Sequence, residues 1–511
     1  MNVLFIITDQ QRADHLSCAG NPILKTPNID SIAKNGVRFT NYFCTNPMCM
    51  PNRASLFTGL YPNMHGVRCN GINLPIEVPT ITQTLRNKGY HTVSIGKIHF
   101  QHYSPVIKKN AKSWESMDDW SSEKKGKKIR ETFPLLYYGF DEVELTLGHG
   151  DIMTGHYQDW LEEVAPRYSK YLKERLNQRW MLMRYLYDET ELPEEYFPTS
   201  YVTEKAIAFL ERFAMGEYEK NSFFLHCSIP DPHHPACPPG KYKKLYKPED
   251  IQFPLNYKDT ENLFNHSFLG KHIKKSNPKE DQSGLINLLE ITPEEKVRKF
   301  IAYTYGSIAL IDYGVGKILN KLRNLGLEKN TMVIFTSDHG DLMGDHGLTL
   351  KGPVPYKGVL KIPLIWKVPG FTQSAVSSSL VSSVDIPKTI LNLLGIRDKI
   401  LTRTFQGFDI TPILKEPNQK LRDCCFIEED EEGGFLKTRL RHLITENYKL
   451  TIYENFENFG DLYNREDDPG ETNNLWDNDK FRDVRNNLLK KMLHESLKIQ
   501  SRYPETQANI I

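Results

Sequence analysis

The stretch NVLFIITDQ, residues 2–10, contains an apolar run and turns polar at Asp9. Four other runs have the same character: HTVSIG at 91–96, SFFLHCSI at 222–229, TMVIFTS at 331–337 and PLIWKV at 363–368. Short apolar runs bounded by polar residues are typical of strands buried on both faces, as in parallel sheets. Because the first run starts at residue 2, we expect the fold to begin there, without a targeting leader.

Amphipathic stretches lie between these strands. Residues 203–213, TEKAIAFLERF, and residues 299–327 place apolar side chains at helical spacing. Strands that alternate with helices predict a large α/β domain with a doubly wound, mostly parallel sheet. Two polar, lysine-rich stretches, 104–131 and 241–300, interrupt the alternation, and we expect them to be surface loops or insertions.

The pattern changes after about residue 400. Residues 441–454, RHLITENYKLTIYE, predict two short strands joined by a turn at Glu446-Asn447, and a terminal helix is predicted around 478–499. A chain of 511 residues is also long for one core. We therefore predict an α/β domain over 1–400 and a smaller α+β domain with an antiparallel sheet over 401–511.

Charge and cysteine content narrow the possible partners and the compartment. Lys and Arg number 65 and Asp and Glu 64, so the net charge is +1, and we expect neither nucleic acid nor a membrane as a partner. The eight cysteines form no CxxC pair. We therefore expect reduced thiols, no structural zinc site and a cytoplasmic protein. The sequence leaves the oligomeric state open.

The carboxyl ends of four predicted strands carry possible metal ligands and proton carriers. In an open parallel sheet these ends share one edge, where ligands bind. The residues are Asp9, Gln10, Lys97, His99, Asp231, His233, His234, Asp338 and His339. Taken singly, each could be an ordinary turn, capping or loop residue. Their convergence on one edge would instead form a site.

Three of these residues could form a metal site. Asp9, Asp338 and His339 would supply two carboxylates and an imidazole, and Gln10 could add an amide oxygen. Oxygen ligands favour Ca²⁺, Mg²⁺ or Mn²⁺, and the imidazole leaves room for Mn²⁺ or Zn²⁺. Such a cation would polarise a bound oxygen of an anionic ester.

A cysteine lies at the start of a predicted helix in CMPNRASLFTG, residues 49–59. Pro51 suits the first helical turn, Gly59 suits the end, and the free N–H groups of that turn favour an anion next to Cys49. Arg53 adds a positive charge. Cys49 could be a packing residue, a metal ligand, a thiolate nucleophile or the precursor of another group. Cysteine-based phosphatases space their cysteine and arginine more widely, which disfavours the thiolate.

The string CMPNRASLFTG resembles the signature of the type I sulfatases of the alkaline phosphatase superfamily. Further motifs resemble that family in the same order along almost the whole chain. They are NVLFIITDQ, TPNIDSIAKNGVRFTNYF (26–43), SIGKIHF, PHHP, TSDHGDLMGDHG, KGPVPYKGVLKIPLIW (351–366) and DLYNREDDPGETNNL (461–475). The resemblance implies that a maturation enzyme, formylglycine-generating or equivalent, oxidises Cys49 to formylglycine, whose hydrate is the nucleophile.

The resemblance also implies a role for each site residue. One divalent metal, calcium first with Mn²⁺, Mg²⁺ or Zn²⁺ as alternatives, would be bound by Asp9, Gln10, Asp338, His339 and the converted Cys49. Arg53 would hold the hydrate, and Lys97 and Lys351 would neutralise the sulfuryl oxygens. His233 would protonate the departing alcohol, and His99 would take the proton that lets the aldehyde reform.

The implied activity is hydrolysis of sulfate monoesters, either aryl or carbohydrate. The Asp9-Gln10 pair is similar to that of phosphonate monoester hydrolases and choline sulfatases, so a phosphonate monoester or phosphodiester hydrolase is one alternative. A non-catalytic anion-binding protein is another. Lys97 with His99 resembles the sulfatase form and favours sulfate esters.

Several neighbours of these motifs have ordinary explanations. Lys351 is preferred to Lys357 as the motif lysine because Gly352 follows it. The remaining residues are expected to shape loops (Asp341, Asp345 and His346), to neighbour His233 (His234), to form a turn or reach substrate (Asn70), or to pack near the site (Cys44 and Cys69).

Overall fold

The computed structural model describes residues 1–103, 112–272, 274–275, 290–397, 404–431 and 438–500. Its strands are β1 (Asn2–Thr8), β2 (Val37–Phe43), β3 (Tyr90–Gly96), β4 (Glu142–Leu145), β5 (Leu147–His149), β6 (Ile152–Thr154), β7 (Ser222–Ser228), β8 (Lys274–Lys275), β9 (Glu290–Ile291), β10 (Thr331–Ser337), β11 (Leu364–Lys367), β12 (Ala375–Ser382), β13 (Cys424–Asp430), β14 (Arg439–Thr445), β15 (Tyr448–Tyr453) and β16 (Gly460–Asn464). All five predicted buried strands are present, as β1, β3, β7, β10 and β11.

The helices lie mostly between these strands. They are α1 (Pro27–Ala33), α2 (Cys49–Thr58), α3 (Pro62–His65), α4 (Ile81–Asn87), α5 (Met117–Ser121), α6 (Glu123–Thr132), α7 (His156–Val164), α8 (Pro166–Asn177), α9 (Arg179–Leu182), α10 (Pro198–Ala214), α11 (Thr260–Asn265), α12 (Glu294–Asn324), α13 (Lys357–Leu360), α14 (Asp385–Leu393), α15 (Thr411–Lys415) and α16 (Arg482–Lys498). Both predicted helices of the α/β domain are present, as α10 and α12. Within the described ranges, no helix is both long enough and apolar enough to cross a bilayer.

The main sheet has eight strands in the order β12-β2-β11-β10-β1-β7-β3-β4. Strand β1 lies at its centre and pairs in parallel with β10 and β7. Strand β11 differs from the expectation for buried apolar runs, because it is antiparallel to both of its neighbours. A parallel strand would require the chain to cross first to the opposite edge of the sheet. Strand β11 instead begins at the edge where β10 ends, because Leu364 pairs with Thr336.

Alternate residues of β1 explain why the run is apolar throughout. Val3, Phe5 and Ile7 pack into a core that includes residues of α2, α4 and α14. Leu4 and Ile6 face the opposite core, which includes residues of α1, α10 and α12. Because successive strand side chains point to opposite faces, a strand covered by helices on both sides must be apolar at every position. The predicted doubly wound α/β fold is confirmed.

Two expected loop regions contain helices. Region 104–131 includes α5 and most of α6, which contribute buried Trp120 and Ile129; residues 104–111 lie outside the described ones. Region 241–300 includes α11 and the start of α12, with 273 and 276–289 outside the described residues. The lysine-rich composition of these segments led to the prediction of loops. A few large apolar side chains are nevertheless sufficient to pack a short helix against a core.

A second, four-stranded antiparallel sheet follows in the order β13-β14-β15-β16. The predicted hairpin around Glu446-Asn447 is present as β14 and β15, and the predicted terminal helix is α16. The smaller C-terminal part of the predicted fold is thus confirmed. The boundary at residue 400 falls within 398–403, outside the described residues, so the division into 1–400 and 401–511 stays a prediction.

Candidate active site

Helix α2 presents Cys49 at its first residue and is buried along its whole length. The helix ends at Gly59, whose φ of 67° is left-handed and suits glycine. Asn70 Oδ1 accepts a hydrogen bond from Met50 N at 3.0 Å and so satisfies a free amide of the first turn. Cys49 therefore has a fixed position at a helix N-terminus.

Two strand ends bring the carboxylates to the cysteine. Thr8 pairs with Ser337, so Asp9 and Asp338 follow adjacent parallel strands at the same edge. Asp9 Oδ1 lies 4.0 Å from Cys49 Sγ, and Asp338 is bonded to the α2 helix through Arg53. Both carboxylates are fully buried. The register of β1 against β10 therefore sets the positions of Asp9 and Asp338 relative to each other.

His339 completes a cluster of possible metal ligands. Its Nε2 lies 3.0 Å from Cys49 Sγ, 3.7 Å from Asp9 Oδ1 and 3.6 Å from Asp338 Oδ1. Its Nδ1 lies 2.9 Å from the Gly340 carbonyl, which only accepts, so Nδ1 carries a proton and Nε2 is the ring nitrogen that faces the cluster. Ligand atoms of all four residues lie within 4.8 Å of one another. Two carboxylates, an imidazole nitrogen and the atom at position 49 fit one divalent cation.

Gln10 is held beside this cluster by a left-handed backbone, with φ of 65°. Its backbone N–H donates to Asp338 Oδ1 at 3.1 Å, and its side-chain Nε2 donates to Asp341 Oδ2 at 2.5 Å. Its Oε1 accepts from Lys351 Nζ at 2.8 Å. A non-glycine residue in this conformation costs free energy that the surroundings must offset, and the three hydrogen bonds do so.

Arg53, one helical turn after Cys49, binds the carboxylates rather than the cysteine. Its Nε donates to Asp338 Oδ2 at 2.7 Å, and its Nη2 lies 3.7 Å from Asp9 Oδ2. Its Nη1 donates to the Lys97 carbonyl and to Ser228 Oγ, each at 2.9 Å. The guanidinium therefore joins α2 to the ends of β10, β3 and β7 and fixes the geometry of the cluster.

Two lysines supply positive charge at position 49. Lys351 Nζ lies 3.4 Å from Cys49 Sγ, and Lys97 Nζ donates to Asp9 Oδ2. Burial alone raises the pKa of the Cys49 thiol, but Lys351 and Lys97 lower it to about 7. Lys357 Nζ instead donates to the Pro469 carbonyl. The site thus favours negative charge at position 49, and of Lys351 and Lys357 it is Lys351 that contributes to it.

The histidines lie around these lysines. His233 Nε2 is 3.0 Å from Lys351 Nζ, and burial, His149 and Lys351 lower its pKa. The ring of His99, whose φ is 60°, stacks on Tyr103 with centroids 3.8 Å apart. Burial and the charge of Lys97 lower the His99 pKa. His99 thus lies near the lysine end of the site, in an aromatic contact.

Sequence reasoning missed His149. Its Nε2 lies 2.9 Å from Lys97 Nζ and 3.8 Å from Asp9 Oδ2, and its ring stacks on His233 at 3.6 Å. Asp9, His149 and His233 form a second group of possible metal ligands. The signal was the GHGD string of residues 148–151, which places a further histidine at a strand end. That strand, β5, has only three residues, and β4 before it is short and polar, so neither could be recognised from the sequence.

Two family models match the chain. One, described as sulfatase, matches residues 1–396, and the other, described as the C-terminal part of N-sulphoglucosamine sulphohydrolase, matches residues 344–498. The chain belongs to the sulfatase family. The type I sulfatase resemblance is thereby confirmed, and the chain is a sulfuric ester hydrolase.

A known arylsulfatase and two solved structures align with this chain over almost its whole length. An arylsulfatase of Clostridium perfringens is 28% identical over 511 residues, covering 97% of this chain and 94% of the relative. A phosphonate monoester hydrolase structure from Agrobacterium radiobacter superposes with a TM-score of 0.76 at 23% identity, covering 98% and 97% of the two chains. A structure in complex with D-glucosamine-2-N,6-O-disulfate superposes with a TM-score of 0.70 at 19% identity, covering 99% of both. Both solved structures share the fold of this sulfatase.

In this sulfatase the residues after Asp338 shape the loop that carries Lys351. Asp341 Oδ1 accepts from Met343 N and Leu350 N at 2.8 and 2.9 Å. Asp345 pairs with Arg12 at 2.8 Å, and His346 Nδ1 lies 2.9 Å from Asp259 Oδ2. These contacts agree with the predicted loop-shaping roles, and Asp341 also orients Gln10.

The other predicted neighbours have structural contacts as well. His234 Nδ1 lies 3.1 Å from Gln10 Nε2, and its ring stacks on His233 at 4.2 Å. Cys44 and Cys69 are buried, and Cys44 Sγ lies 3.3 Å from the Leu360 carbonyl. Asp231 is buried and its carboxylate accepts from Thr199 Oγ1. It is therefore a packing and hydrogen-bonding residue next to the site.

Proposed function

We propose that this chain hydrolyses sulfate monoesters, aryl or carbohydrate, at position 49, with Cys49 converted to formylglycine and one divalent cation bound. The observation that carries the proposal is the convergence of Asp9, Asp338 and His339 on Cys49, with Lys351 3.4 Å from its sulfur. These residues come from three distant parts of the chain, at position 9, at position 49 and between positions 338 and 351. A packing cysteine would have no need of such surroundings.

Asp9, Gln10, Asp338, His339 and position 49 would hold the cation, calcium first, with Mn²⁺, Mg²⁺ or Zn²⁺ as alternatives. The bound cation would polarise an ester oxygen, and the formylglycine hydrate would supply the nucleophile. A maturation enzyme would have to reach Cys49 before the protein folds, because the side chain is 2% exposed in the folded chain.

The remaining residues would act on charge, position and protons. Lys97 and Lys351 neutralise the sulfuryl oxygens as negative charge develops. Arg53 keeps Asp9 and Asp338 in place. His233 is the proton donor to the departing alcohol; because its pKa is lowered, it first takes a proton at Nε2 from Lys351 Nζ, 3.0 Å away. His99 accepts a proton from position 49 in the second half of the reaction.

A cytoplasmic location is part of the proposal. All eight cysteines are free, including the adjacent Cys424 and Cys425, which agrees with a reducing compartment. The substrate is then a small sulfate ester that reaches the cell interior. The membership of the sulfatase family argues against the non-catalytic alternative.

A second candidate is a phosphonate monoester or phosphodiester hydrolase. Gln10 beside Asp9 and the likeness to a phosphonate monoester hydrolase structure, with a TM-score of 0.76, favour it. The kcat/KM for an aryl sulfate, divided by that for a phosphonate monoester with the same leaving group, decides between the two. We expect a ratio above one, and a ratio far below one would select the second candidate.

The test of the nucleophile is mass spectrometry of the peptide that contains residue 49. Protein made with and without a maturation enzyme is compared, and aryl sulfate turnover is measured on the same samples. Activity should follow the converted fraction, and Cys49→Ala should abolish turnover while the protein stays folded. Full activity in unconverted protein would refute the formylglycine assignment.

A further inference from the structure

A cavity of about 320 Å³ lies outside the cluster around position 49. It is bounded by the loop after β1, by one face of β2 and by α13. The polar residues that line it are Arg12, Asp14, Arg38, Thr40, Lys357 and Lys361. Arg38 and Thr40 are two apart on a strand and therefore lie on the same face. None of the proposed metal ligands or catalytic residues lines this cavity.

The two acidic groups near the cavity both pair with Arg12. Asp14 Oδ1 and Oδ2 accept from Arg12 Nε and Nη2 at 2.8 and 2.9 Å, and the Asp14 side chain is 60% exposed. Asp345 pairs with Arg12 Nη1 at 2.8 Å. Arg12 is thus engaged by two carboxylates, and Asp14 also acts on Lys361 through its charge, without a direct ion pair.

Among the described residues, the other cations of the cavity have no carboxylate in direct contact. Within the described ranges, the side chains of Arg38 and Lys361 form no ion pair or hydrogen bond, and Lys357 Nζ contacts only the Pro469 carbonyl. Four lining residues are basic and one is acidic, an excess of three positive charges (4 − 1). Counting Asp345 behind Arg12 lowers the excess to two.

Among these cations, Lys361 has surroundings that disfavour its positive charge. It is only partly exposed, and burial lowers its pKa to about 8, an effect to which Arg465, Lys357 and Arg38 add and which Asp14 opposes. Like charges brought together in a partly desolvated site repel one another. An anion placed among them would remove that repulsion.

We propose that this cavity binds a doubly charged tetrahedral oxyanion, sulfate or phosphate, between Arg38, Lys357 and Lys361. A guanidinium fork and two ammonium groups are the donors that such oxyanions attract in proteins. The volume also admits a sulfate group carried on a sugar. The proposal goes beyond the proposed function and does not depend on it, because no catalytic residue takes part.

The test measures the midpoint of thermal unfolding, at fixed ionic strength, as inorganic sulfate or phosphate replaces chloride. The wild type is compared with Lys361→Met and Arg38→Met, and with Lys88→Met, a surface control outside the cavity. A ligand that binds the folded state raises the midpoint by mass action. We expect an anion-dependent rise in the wild type and in Lys88→Met, with at least about tenfold weaker apparent affinity in the two cavity variants.

A second signature separates binding from a purely structural role of the lysine. Without sulfate or phosphate, Lys361→Met should unfold at the same temperature as the wild type or higher, because a repelled cation has been removed. An equal anion response in all four proteins would overturn the proposal. The proposal would also be overturned if a cavity variant unfolded at a lower temperature than the wild type without the anion, yet its unfolding midpoint rose by the same amount when the anion was added.

Two arms distinguish the source of the oxyanion. Isothermal titration with inorganic sulfate and with a sulfated monosaccharide is run on Cys49→Ala, with and without Lys361→Met. If adding Lys361→Met to Cys49→Ala abolishes the binding heat of inorganic sulfate, the cavity is a site for the free ion. If it abolishes only the binding heat of the sulfated monosaccharide, the cavity is a site for sulfated sugars. The kcat on an aryl sulfate should be the same in Lys361→Met and wild type, so a failed catalytic proposal leaves this test intact.

Discussion

Lys351 Nζ lies 3.4 Å from Cys49 Sγ although 302 positions separate the two residues. The same ammonium group lies 3.0 Å from His233 Nε2 and 3.0 Å from His339 Nε2. One side chain therefore touches the proposed nucleophile position, the proposed proton donor and a proposed metal ligand. We therefore expect catalysis to depend directly on the loop that carries Lys351.

A matched pair of lysine variants tests this contact. Lys351→Met should lower kcat by about 10²–10³, the usual loss when one donor to developing negative charge is removed. Lys357→Met should leave kcat near the wild-type value, because Lys357 Nζ contacts the Pro469 carbonyl instead. Steady-state kinetics on an aryl sulfate measures both. Equal losses in the two variants would show that Lys351 has no special role.

The C-terminal sheet anchors the Lys351 loop through a buried ion pair. Lys449 Nζ lies 2.6 Å from Glu471 Oε1 and also donates to the Pro355 carbonyl, while Glu471 Oε2 accepts from Lys357 N at 2.8 Å. Glu471→Gln leaves Lys449 as an uncompensated buried charge, which costs about 3–5 kcal/mol of stability. Because the loop then loses its anchor, kcat should also fall.

The double variant Lys449→Met with Glu471→Gln separates stability from positioning. It removes both buried charges, so stability should recover relative to Glu471→Gln, whereas kcat should stay low. Lys498→Met, which breaks an exposed pair with Glu495, is the control and should change stability by less than about 1 kcal/mol. A wild-type kcat in the double variant would contradict the anchoring role.

Metal removal should destabilise the protein as well as inactivate it. A cation held at about 100 times its dissociation constant stabilises the folded state by about 2.7 kcal/mol. Dialysis against a chelator should therefore lower the midpoint of thermal unfolding, and added Ca²⁺ should restore midpoint and activity together. Asp338→Asn should respond much less to the chelator. An unchanged midpoint, with metal loss verified by elemental analysis, would count against the cluster as the metal site.

Glu115 predicts a pH dependence of stability. Burial raises its pKa from 4.5 to about 7, although hydrogen bonds from Tyr137 and the His99 amide lower it. The folded state then binds more protons than the unfolded state between pH 4.5 and 7, so the free energy of unfolding should fall as pH rises through that window, by about 3 kcal/mol. Urea unfolding across this range measures the slope.

Two glutamate variants check the assignment of that slope. Glu115→Gln should flatten the profile between pH 4.5 and 7, because the group no longer titrates. Glu123→Gln, at an exposed position of α6, should keep the wild-type profile. A slope that survives in Glu115→Gln would assign the pH dependence to another group.

The sequence by itself determined the central strands, the one-turn spacing of Cys49 and Arg53, and the C-terminal hairpin. Each depends on chemistry within a few residues: apolar runs must be buried, i and i+4 share a helix face, and a polar pair between strands forms a turn. The four strand ends with their ligands could be found for the same reason. The family motifs then connected those local signals.

Only the tertiary structure decided the antiparallel direction of β11, the approach of His149 to Lys97, the anchoring of the Lys351 loop by Glu471, and the cavity formed by Arg38, Lys357 and Lys361. These relationships join residues far apart in the chain, and they depend on sheet register and on which loop packs over which edge. Local composition carries no information about such distances, because the free energy that fixes them comes from packing of the whole fold.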